Sequence, residues 1–314
     1  MPSQSHDLID RRGLLQCMGW AGTGALFTLS AGVASSVGLD AAHAASPAKV
    51  KPFRFVQISD SHIGFKKPAN PDPLGTLRET IAKIRALPIQ PDFVLHTGDI
   101  THLATAQQFD TAQAALSELG LPIHFIPGEH DIVDGADPRL YLERFGASTK
   151  GEGWYSFDTK GVHFIGLVSV VHLGEHGQGG LGMDQLAWLR DDLAPLATST
   201  PVVVFSHFPL WPLFPEWGWG TVDAGPALGL LKRFGSVTVL NGHVHQVQQQ
   251  IEGRTIFHTA RSTAYPQPAP GVGPGPGPLA LPAERLRGAI GLRAIEVRPG
   301  RGPLALIDTT LANG

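Results

Sequence analysis

Five short apolar runs in this chain each end directly in a segment that carries histidine or carboxylate side chains. The runs are rich in β-branched and aromatic residues, which is the composition of buried strands. In chain order, the segments that follow them are 60–62, 98–99, 128–131, 206–207 and 242–245. Because open α/β folds bind ligands beyond the ends of their strands, these segments predict one shared site at a sheet edge.

The spacing inside two of these segments favours convergence on one point. Side chains two residues apart on an extended chain point the same way, so Asp60 and His62 reach one cluster, as do His243 and His245. Glycine precedes the polar residues in three of the segments, and its backbone freedom allows a strand end to turn toward an ion.

The residue types in these segments indicate a pair of metal ions. Two divalent ions about 3.5–4 Å apart need roughly seven protein ligands, including a carboxylate able to bridge. The candidates are Asp60, His62, Asp99, Glu129, His207, His243 and His245. The chain has one cysteine, Cys17, so a thiolate-rich site is excluded and the donor set suits Zn, Mn or Fe.

The order of the segments resembles a known signature. The pattern D-x-H, G-D, G-N-H-[DE], H, G-H-x-H is typical of the calcineurin-like metallophosphoesterase superfamily, and four of its five blocks match fully. The resemblance covers residues 53–260. It implies an α/β fold built as a four-layer αββα sandwich, and an enzyme that hydrolyses phosphoric esters with two divalent metal ions.

The resemblance also implies how the ligands divide between the two ions. It places Asp60, His62 and His245 on the first ion, His207 and His243 on the second, and Asp99 as the bridge. The implied nucleophile is a hydroxide that bridges the ions, because metal binding lowers the pKa of water toward neutrality.

Two further residues are implied to be catalytic. His130 corresponds to the outer histidine of the family, which stabilises the phosphoryl oxygens or protonates the leaving group. Asp131 is expected to orient His130 through a hydrogen bond.

Glu129 departs from the family pattern, which has Asn at this position. As a ligand, Glu129 adds negative charge, which favours hard ions such as Mn or Fe and weakens the attraction for a phosphate. The alternative is that the side chain points away and water takes its place.

The hydrophobic pattern predicts strands alternating with helices. Strands are predicted at 53–58, 93–96, 123–126, 162–168, 202–205 and 237–240, and helices at 74–86, about 103–119 and about 183–194. After Leu240 only strands are predicted, at 247–251, 256–258, 290–297 and 304–307, with an irregular Pro/Gly-rich loop at 266–282. This alternation favours a layered α/β fold with two packed sheets.

Six histidines outside the signature are expected to have no role in the site, and two further features each have two possible interpretations. His96, His124 and His163 are expected to be packed, and His102, His172 and His176 to lie in solvated loops or at a rim. The aromatic segment 209–219 is either core or a pocket wall. Arg261 reaches either a substrate phosphate or a surface salt bridge.

The first 44 residues predict an export signal. Arg11 and Arg12 precede an uncharged stretch rich in Gly, Ala and Ser, and 42–44 form a small-x-small cleavage pattern. The pattern resembles a twin-arginine signal, which implies transport by the twin-arginine machinery and a periplasmic or secreted protein. An uncleaved membrane anchor is the alternative, but the many Gly, Ser and Thr residues disfavour it. The predicted domain is 45–314.

Composition limits the substrate. A net charge of −3 with interspersed signs gives no basic face for a long polyanion, so no nucleic acid partner is expected. A small phosphorylated substrate is expected, with a phosphodiester preferred. The alternatives are a phosphomonoester or pyrophosphate substrate on the same scaffold, or a metal-binding protein whose hydrolytic activity Glu129 has weakened.

Overall fold

The computed structural model describes residues 25–30, 33–38, 52–133, 136–298 and 304–312. The chain divides into two compact units, Met1–Lys49 and Val50–Gly314. In the first unit, β1 (Ala25–Ser30) and β2 (Val33–Gly38) pair antiparallel. The rest of the predicted export signal lies outside the described residues, so the signal stays a prediction.

The second unit alternates strands and helices along the chain. Its strands are β3 (Phe53–Ile58), β4 (Phe93–Thr97), β5 (Ile123–Ile126), β6 (Tyr155–Thr159), β7 (Val162–Leu167), β8 (Val202–Ser206), β9 (Val237–Asn241), β10 (Gln249–Glu252), β11 (Thr255–Thr259), β12 (Gly291–Val297) and β13 (Ala305–Thr310). Its α-helices are α1 (Pro73–Arg85), α2 (Ala106–Ser117), α3 (Arg139–Phe145), α4 (Met183–Leu193), α5 (Ala224–Leu231) and α6 (Ala283–Ala289). Among the described residues, no helix has both the length and the apolar character needed to cross a membrane.

Local chemistry explains where the predicted helices begin. Asp72 caps α1, because its carboxylate accepts a hydrogen bond from the backbone N–H of Gly75 at 2.9 Å. Pro73 occupies the first turn of α1, where a missing N–H costs nothing. Thr105 caps α2 in the same way, accepting from the N–H of Gln108 at 3.2 Å.

The strands form two mixed sheets. The five-stranded sheet has the order β13-β12-β3-β4-β5, and β3, β4 and β5 are parallel. The six-stranded sheet has the order β10-β11-β9-β8-β7-β6, and its four inner strands are parallel. Antiparallel strands close both edges of the six-stranded sheet and one edge of the five-stranded sheet. The chain therefore points the ends of β3, β4 and β5 toward one edge, and those of β8 and β9 toward one edge of the other sheet.

An aromatic layer joins the two sheets face to face. Phe55 on β3 stacks on Phe93 of β4 with 5.1 Å between the ring centroids. Phe55 also meets Phe164 of β7, in the other sheet, edge-on at 5.4 Å. Residues of β8 and β9 complete this buried cluster. Burial of these rings stabilises the contact between the sheets because each removes a large apolar area from water.

The outer face of each sheet is covered by helices. Alternate residues of β3, Val56 and Ile58, point away from the aromatic layer and pack with Leu77 and Ile81 of α1. On the six-stranded sheet, α4 and α5 cover the residues that alternate with the inner ones. The order helix, sheet, sheet, helix confirms the predicted αββα sandwich and the α/β class.

Polar side chains connect the sheets near the ends of the strands. Gln57 on β3 donates from Nε2 to the carbonyl of Asn241 on β9 at 3.2 Å. The fully buried Arg293 on β12 donates to the carbonyl of Thr259 on β11 at 3.0 Å and forms an ion pair with Asp308 at 2.9 Å. Buried groups of this kind fix the relative position of the sheets, because a shift would leave them without partners.

The prediction of strands alone after Leu240 is wrong, since α6 follows the Pro/Gly-rich loop. This helix has seven residues and buries only Leu286, so its sequence carries almost no apolar periodicity. The sequence pattern also gave no signal for β6, α3 or α5. The predicted irregular loop at 266–282 is confirmed, because the structure assigns no helix or strand there.

Candidate metal centre

The polar segments that follow five strands meet at one end of the sandwich. Asp60 and His62 follow β3, and Asp99 follows β4. A 3₁₀ turn, Glu129–Asp131, follows β5. The remaining predicted ligands follow β8 and β9, and they are His207, His243 and His245. The structure therefore brings the seven predicted ligands and His130 to one place.

The backbone is left-handed at five of these positions. The angle φ is 55° at Asp60, 43° at His62, 52° at Asp99, 66° at His243 and 57° at His245. Such a conformation costs non-glycine residues about 1–3 kcal/mol each and persists only where the surroundings enforce it. One such constraint is the hydrogen bond from the N–H of His62 to the carbonyl of Asp99, at 2.9 Å. The left-handed residues thus lie where the chain turns after β3, β4 and β9.

One group of ligand atoms lies between β3, β4 and β9. Single atoms of Asp60, His62, Asp99 and His245 all lie within 4.8 Å of one another. Nε2 of His245 lies 3.2 Å from both Oδ1 of Asp60 and Nε2 of His62. All four side chains are almost completely buried. This group has the composition implied for the first ion together with the bridge.

A second group lies beside the first and consists of Glu129, His207 and His243. Oδ2 of Asp99 lies 3.4 Å from Nε2 of His62 in the first group and 3.5 Å from Nε2 of His207 in the second. Asp99 therefore occupies the position between the groups that a bridging carboxylate needs.

The Glu129 side chain points into the second group and not away from it. Its Oε2 lies 2.7 Å from Nε2 of His207, and its Oε1 lies 2.9 Å from Nδ1 of His243. Of the two orientations left open by the sequence, the structure has the inward one.

The cluster fits a pair of divalent cations. Four of its buried atoms have no hydrogen-bond partner, namely Oδ2 of Asp60, Oε2 of Glu129, Nε2 of His207 and Nδ1 of His243. Buried polar atoms without partners are rare because each costs desolvation energy, so a convergent set indicates a bound group. The donors are all carboxylate oxygens and imidazole nitrogens, which bind Zn, Mn and Fe.

Hydrogen bonds outside the cluster orient two of the histidines. Nδ1 of His207 donates to the carbonyl of Thr97 at 2.7 Å, and Nδ1 of His245 donates to the carbonyl of Tyr265 at 2.6 Å. Because a carbonyl only accepts, Nδ1 carries the proton, and in the neutral ring Nε2 presents its lone pair to the cluster. Ligand histidines are typically fixed in this way.

The electrostatics of the cluster also favour cations. Burial lowers the pKa of His207, but the carboxylates of Asp99 and Glu129 outweigh it and raise that pKa well above the ordinary value. Burial raises the pKa of Glu129, yet His243 and His207 hold it well below its usual range. The negative potential that would keep a proton on His207 is equally able to hold a metal cation.

His130 stands at the edge of the cluster. Its backbone N–H donates to Oδ1 of Asp99 at 2.9 Å, and its ring Nδ1 donates to the carbonyl of His102 at 2.8 Å. Burial lowers the pKa of His130, but Asp99 and Glu129 raise it above its ordinary value overall. The ring is thereby positioned with Nε2 as its remaining polar atom.

The prediction that Asp131 orients the His130 ring is wrong. The Asp131 carboxylate accepts hydrogen bonds from the N–H groups of Ile100, Thr101 and Gly128 at 2.8–3.0 Å, and also from the Thr101 hydroxyl. Asp131 therefore holds the segments after β4 and β5 together. The two residues are adjacent in sequence, which suggested that Asp131 binds the His130 ring. In the structure, the ring binds the carbonyl of His102 and the carboxylate binds backbone N–H groups.

His102 is a site residue that the sequence analysis missed. It was expected in a solvated loop or at a rim, without a role in the site, yet one ring nitrogen lies within 4.8 Å of ring nitrogens of His62 and His130. The His102 ring stacks on His130 at 4.6 Å, and its Nδ1 lies 3.5 Å from Nδ1 of His62. Burial, followed by the charge of His130, lowers the pKa of His102 to about 4. Its position three residues after Asp99 was the available signal.

A cavity of 270 Å³ opens above the cluster. Beyond the ligands, its lining includes Lys67, Trp217, Tyr265, Gln267 and residues 276–278 of the Pro/Gly-rich loop. The aromatic segment 209–219 therefore serves both roles considered for it. Trp211 and Trp219 are buried in the core, whereas Trp217 lines the cavity.

Arg261 has neither of its predicted roles. It donates from Nη1 to the carbonyl of Ala289 at the end of α6, at 3.1 Å, and it does not line the cavity.

The remaining histidines follow their predictions. Burial lowers the pKa of the packed His96 to about 3. The ring of His124 stacks on Phe157 at 3.8 Å, and the side chain of His172 is half exposed.

Comparison with known proteins identifies relatives for most of the second unit. A family model described as calcineurin-like phosphoesterase matches residues 53–247. The chain is 26% identical over 216 residues to a protein of Arcobacter nitrofigilis named probable glycerophosphodiester phosphodiesterase GpdQ, covering 67% of this chain and 78% of that one. It is also 26% identical over 222 residues to a 3',5'-cyclic-nucleotide phosphodiesterase of Nostoc sp., covering 68% of this chain and 79% of that one.

Solved structures share the fold. A dimetal phosphatase from Danio rerio superposes with a TM-score of 0.59 at 18% identity, covering 82% of this chain and 98% of that one. A purple acid phosphatase from yellow lupin superposes with a TM-score of 0.63 at 16% identity, covering 86% of this chain and 54% of that one.

Proposed function

The chain belongs to the calcineurin-like phosphoesterase family of dinuclear metal-dependent phosphoric ester hydrolases, and from that premise we propose that its substrate is a small phosphodiester. The observation that carries the proposal is the cavity above the cluster, which extends past the ligands to Trp217 and residues 276–278. These walls give the organic group of an ester a binding surface. The preference for a diester over a monoester is supported by the names of the two relatives above, both phosphodiesterases.

We propose that the seven clustered residues hold two divalent ions, with Mn or Fe preferred over Zn. Glu129 supplies an additional carboxylate, and hard cations favour oxygen donors. When bound, the ions supply Lewis acidity and lower the pKa of a coordinated water. Asp99, which lies between the two groups, would be their shared ligand, and the carbonyls of Thr97 and Tyr265 fix the rings of His207 and His245.

His130 acts on the substrate side in this proposal. The carboxylates of Asp99 and Glu129 raise the pKa of His130 above its ordinary value, and its Nδ1 is already held by the His102 carbonyl. Nε2 is then the atom that donates to a phosphoryl oxygen or to the departing ester oxygen. The net negative charge of Glu129 opposes phosphate binding, so His130 and Lys67 are the protein groups that compensate for it.

We also propose that residues 1–44 direct export through the twin-arginine machinery, so that the enzyme acts in the periplasm or outside the cell. This proposal rests on the sequence pattern of Arg11, Arg12 and the 42–44 cleavage segment.

The function is tested by hydrolysis of bis(p-nitrophenyl) phosphate by the Mn-loaded protein, with Asp99→Asn as the blank. We expect turnover that the substitution abolishes, because the two groups lose their shared carboxylate. A parallel assay uses p-nitrophenyl phosphate and pyrophosphate. Faster turnover of either would favour the monoester or pyrophosphate alternative. Two bound metals without turnover of any substrate would contradict the proposal and favour a site weakened by Glu129.

A further inference from the structure

Trp217 presents a fixed aromatic surface to the cavity. Its indole is half-buried and meets the rings of Phe214 and Trp219 edge-on, with centroids 5.2 Å apart in both pairs. Trp219 is completely buried, so this pair anchors Trp217 to the core. A ring held on two sides loses little conformational entropy when a ligand packs against it.

The Pro/Gly-rich loop is also fixed where it lines the cavity. Gln267 donates from Nε2 to the carbonyl of His243 at 2.8 Å, and its Oε1 accepts from the N–H of Gly277 at 3.0 Å. One side chain thereby joins residues 276–278 to the segment that carries a predicted metal ligand. A backbone bond from the N–H of Leu279 to the carbonyl of Pro266, at 2.8 Å, closes the base of the loop.

The two segments line the same cavity, through Trp217 of the aromatic segment and residues 276–278 of the loop. Phe214 contacts Trp217 edge-on. Trp217 and residues 276–278 are therefore the wall of the cavity beyond the predicted ligands, and its loop part lies beyond the family match at 53–247.

We propose that this wall binds the organic ester group of the substrate and selects a planar aromatic group, an aryl ring or a nucleobase, over a saturated one. The inference rests on the proposed phosphodiesterase function. An indole face attracts a planar ring through stacking in addition to the burial of apolar area, whereas a saturated ring gains the burial alone. Proline rings add apolar surface with little rotamer entropy to lose.

Two phosphonates of similar size distinguish a preference for planar groups from a preference for bulky ones. Phenylphosphonate and cyclohexylphosphonate share the head group, and neither contains an ester bond to hydrolyse. Calorimetric titration of the Mn-loaded protein measures both affinities. We expect phenylphosphonate to bind about 2- to 10-fold more tightly, the range that corresponds to an aromatic pair.

Three variants assign the preference to one side chain. Trp217→Leu keeps apolar bulk without a ring face and should make the two affinities nearly equal. Trp217→Phe keeps an aromatic face and should retain the preference. Trp188→Leu is the control, because Trp188 is a half-buried tryptophan on α4 that does not line the cavity.

Equal affinities in the unaltered protein, or an unchanged preference in Trp217→Leu, would overturn the inference. Turnover of bis(p-nitrophenyl) phosphate is measured on the same preparations as a separate readout. Turnover without a phenyl preference overturns the aromatic wall alone and leaves the proposed function standing. A phenyl preference without turnover of any ester overturns the proposed function and retains the wall as a binding surface.

Discussion

Oε2 of Glu129 lies 2.7 Å from Nε2 of His207, although neither atom has a hydrogen-bond partner of acceptable geometry. The other carboxylate oxygen, Oε1, lies 2.9 Å from Nδ1 of His243. A carboxylate held between two imidazoles in this way is arranged to share a cation with them. The residue that departs from the family pattern therefore lies among the residues that would hold a second metal ion.

Replacing Glu129 by Asn should weaken the second metal site, because a charged ligand becomes a neutral one. We expect Mn affinity at that site to fall about 10- to 100-fold. Metal content after dialysis and calorimetric titration measure this change. Glu152→Gln is the matched control, since that glutamate contacts His172 and is remote from the cluster. Equal Mn affinity in Glu129→Asn and the unaltered protein would show that Glu129 is not a ligand.

Lys67 should contribute to substrate binding, because it lines the cavity and no ion pair to it occurs among the described residues. Lys67→Met is expected to raise KM for an anionic diester about 2- to 5-fold, the range of an exposed charge pair, with little change in kcat. The effect should shrink at high salt because exposed charges are screened. Lys66→Met provides the neighbouring control. Equal KM values for the two variants would contradict this role.

Arg293 should be important for stability. Its guanidinium is buried and pairs with Asp308, so truncation leaves polar groups without partners between the sheets. We expect Arg293→Met to lower the free energy of unfolding by about 3–5 kcal/mol. Arg287→Met is the control, because its ion pair with Glu79 is exposed and should be worth less than about 1 kcal/mol. Urea denaturation measures both, and similar losses would refute the distinction.

His163 should make stability depend on pH above neutrality. Burial lowers its pKa, but hydrogen bonds to Asp192 and Asp158, at 2.9 Å each, raise it overall above the ordinary 6.5. Because the folded pKa exceeds the unfolded one, this contribution is complete below pH 6.5 and is lost as the pH rises through the folded pKa.

His163→Gln tests this contribution. The substitution should lower the free energy of unfolding by about 1.5–3 kcal/mol at mildly acidic pH, and by progressively less as the pH rises above neutrality. Denaturation at several pH values, with His172→Gln as the control, measures the slope. A constant difference across that range would show that His163 does not titrate there.

Replacing Arg11 and Arg12 together by Lys should block export of the full chain, because the twin-arginine machinery reads the arginine pair and not charge alone. Cell fractionation followed by immunoblotting measures the periplasmic share. Arg78→Lys is the control in the second unit. Unchanged export of the double variant would contradict the predicted signal.

The layered α/β class and the seven predicted ligands were accessible from the sequence because both depend on local patterns. Hydrophobic residues alternate with a period of two along a half-buried strand and recur with a period near 3.6 along a helix. Each predicted ligand follows a predicted strand. Elements with weak hydrophobic periodicity were missed because the prediction relied on that periodicity. The short helix α6, with Leu286 as its one buried residue, illustrates this limit.

The sequence alone indicated a layered α/β fold with two packed sheets, and its resemblance to a known family implied the αββα order. It also identified the seven predicted ligands, since Asp60, Asp99 and their partners each follow a predicted strand. Only the tertiary structure decided what each side chain contacts. Glu129 turned inward, Asp131 bound the backbone, and His102 joined the site through neighbours distant in sequence. Contacts between separate strand ends depend on how the two sheets pack, and this packing follows from the burial of the whole core and not from any local pattern.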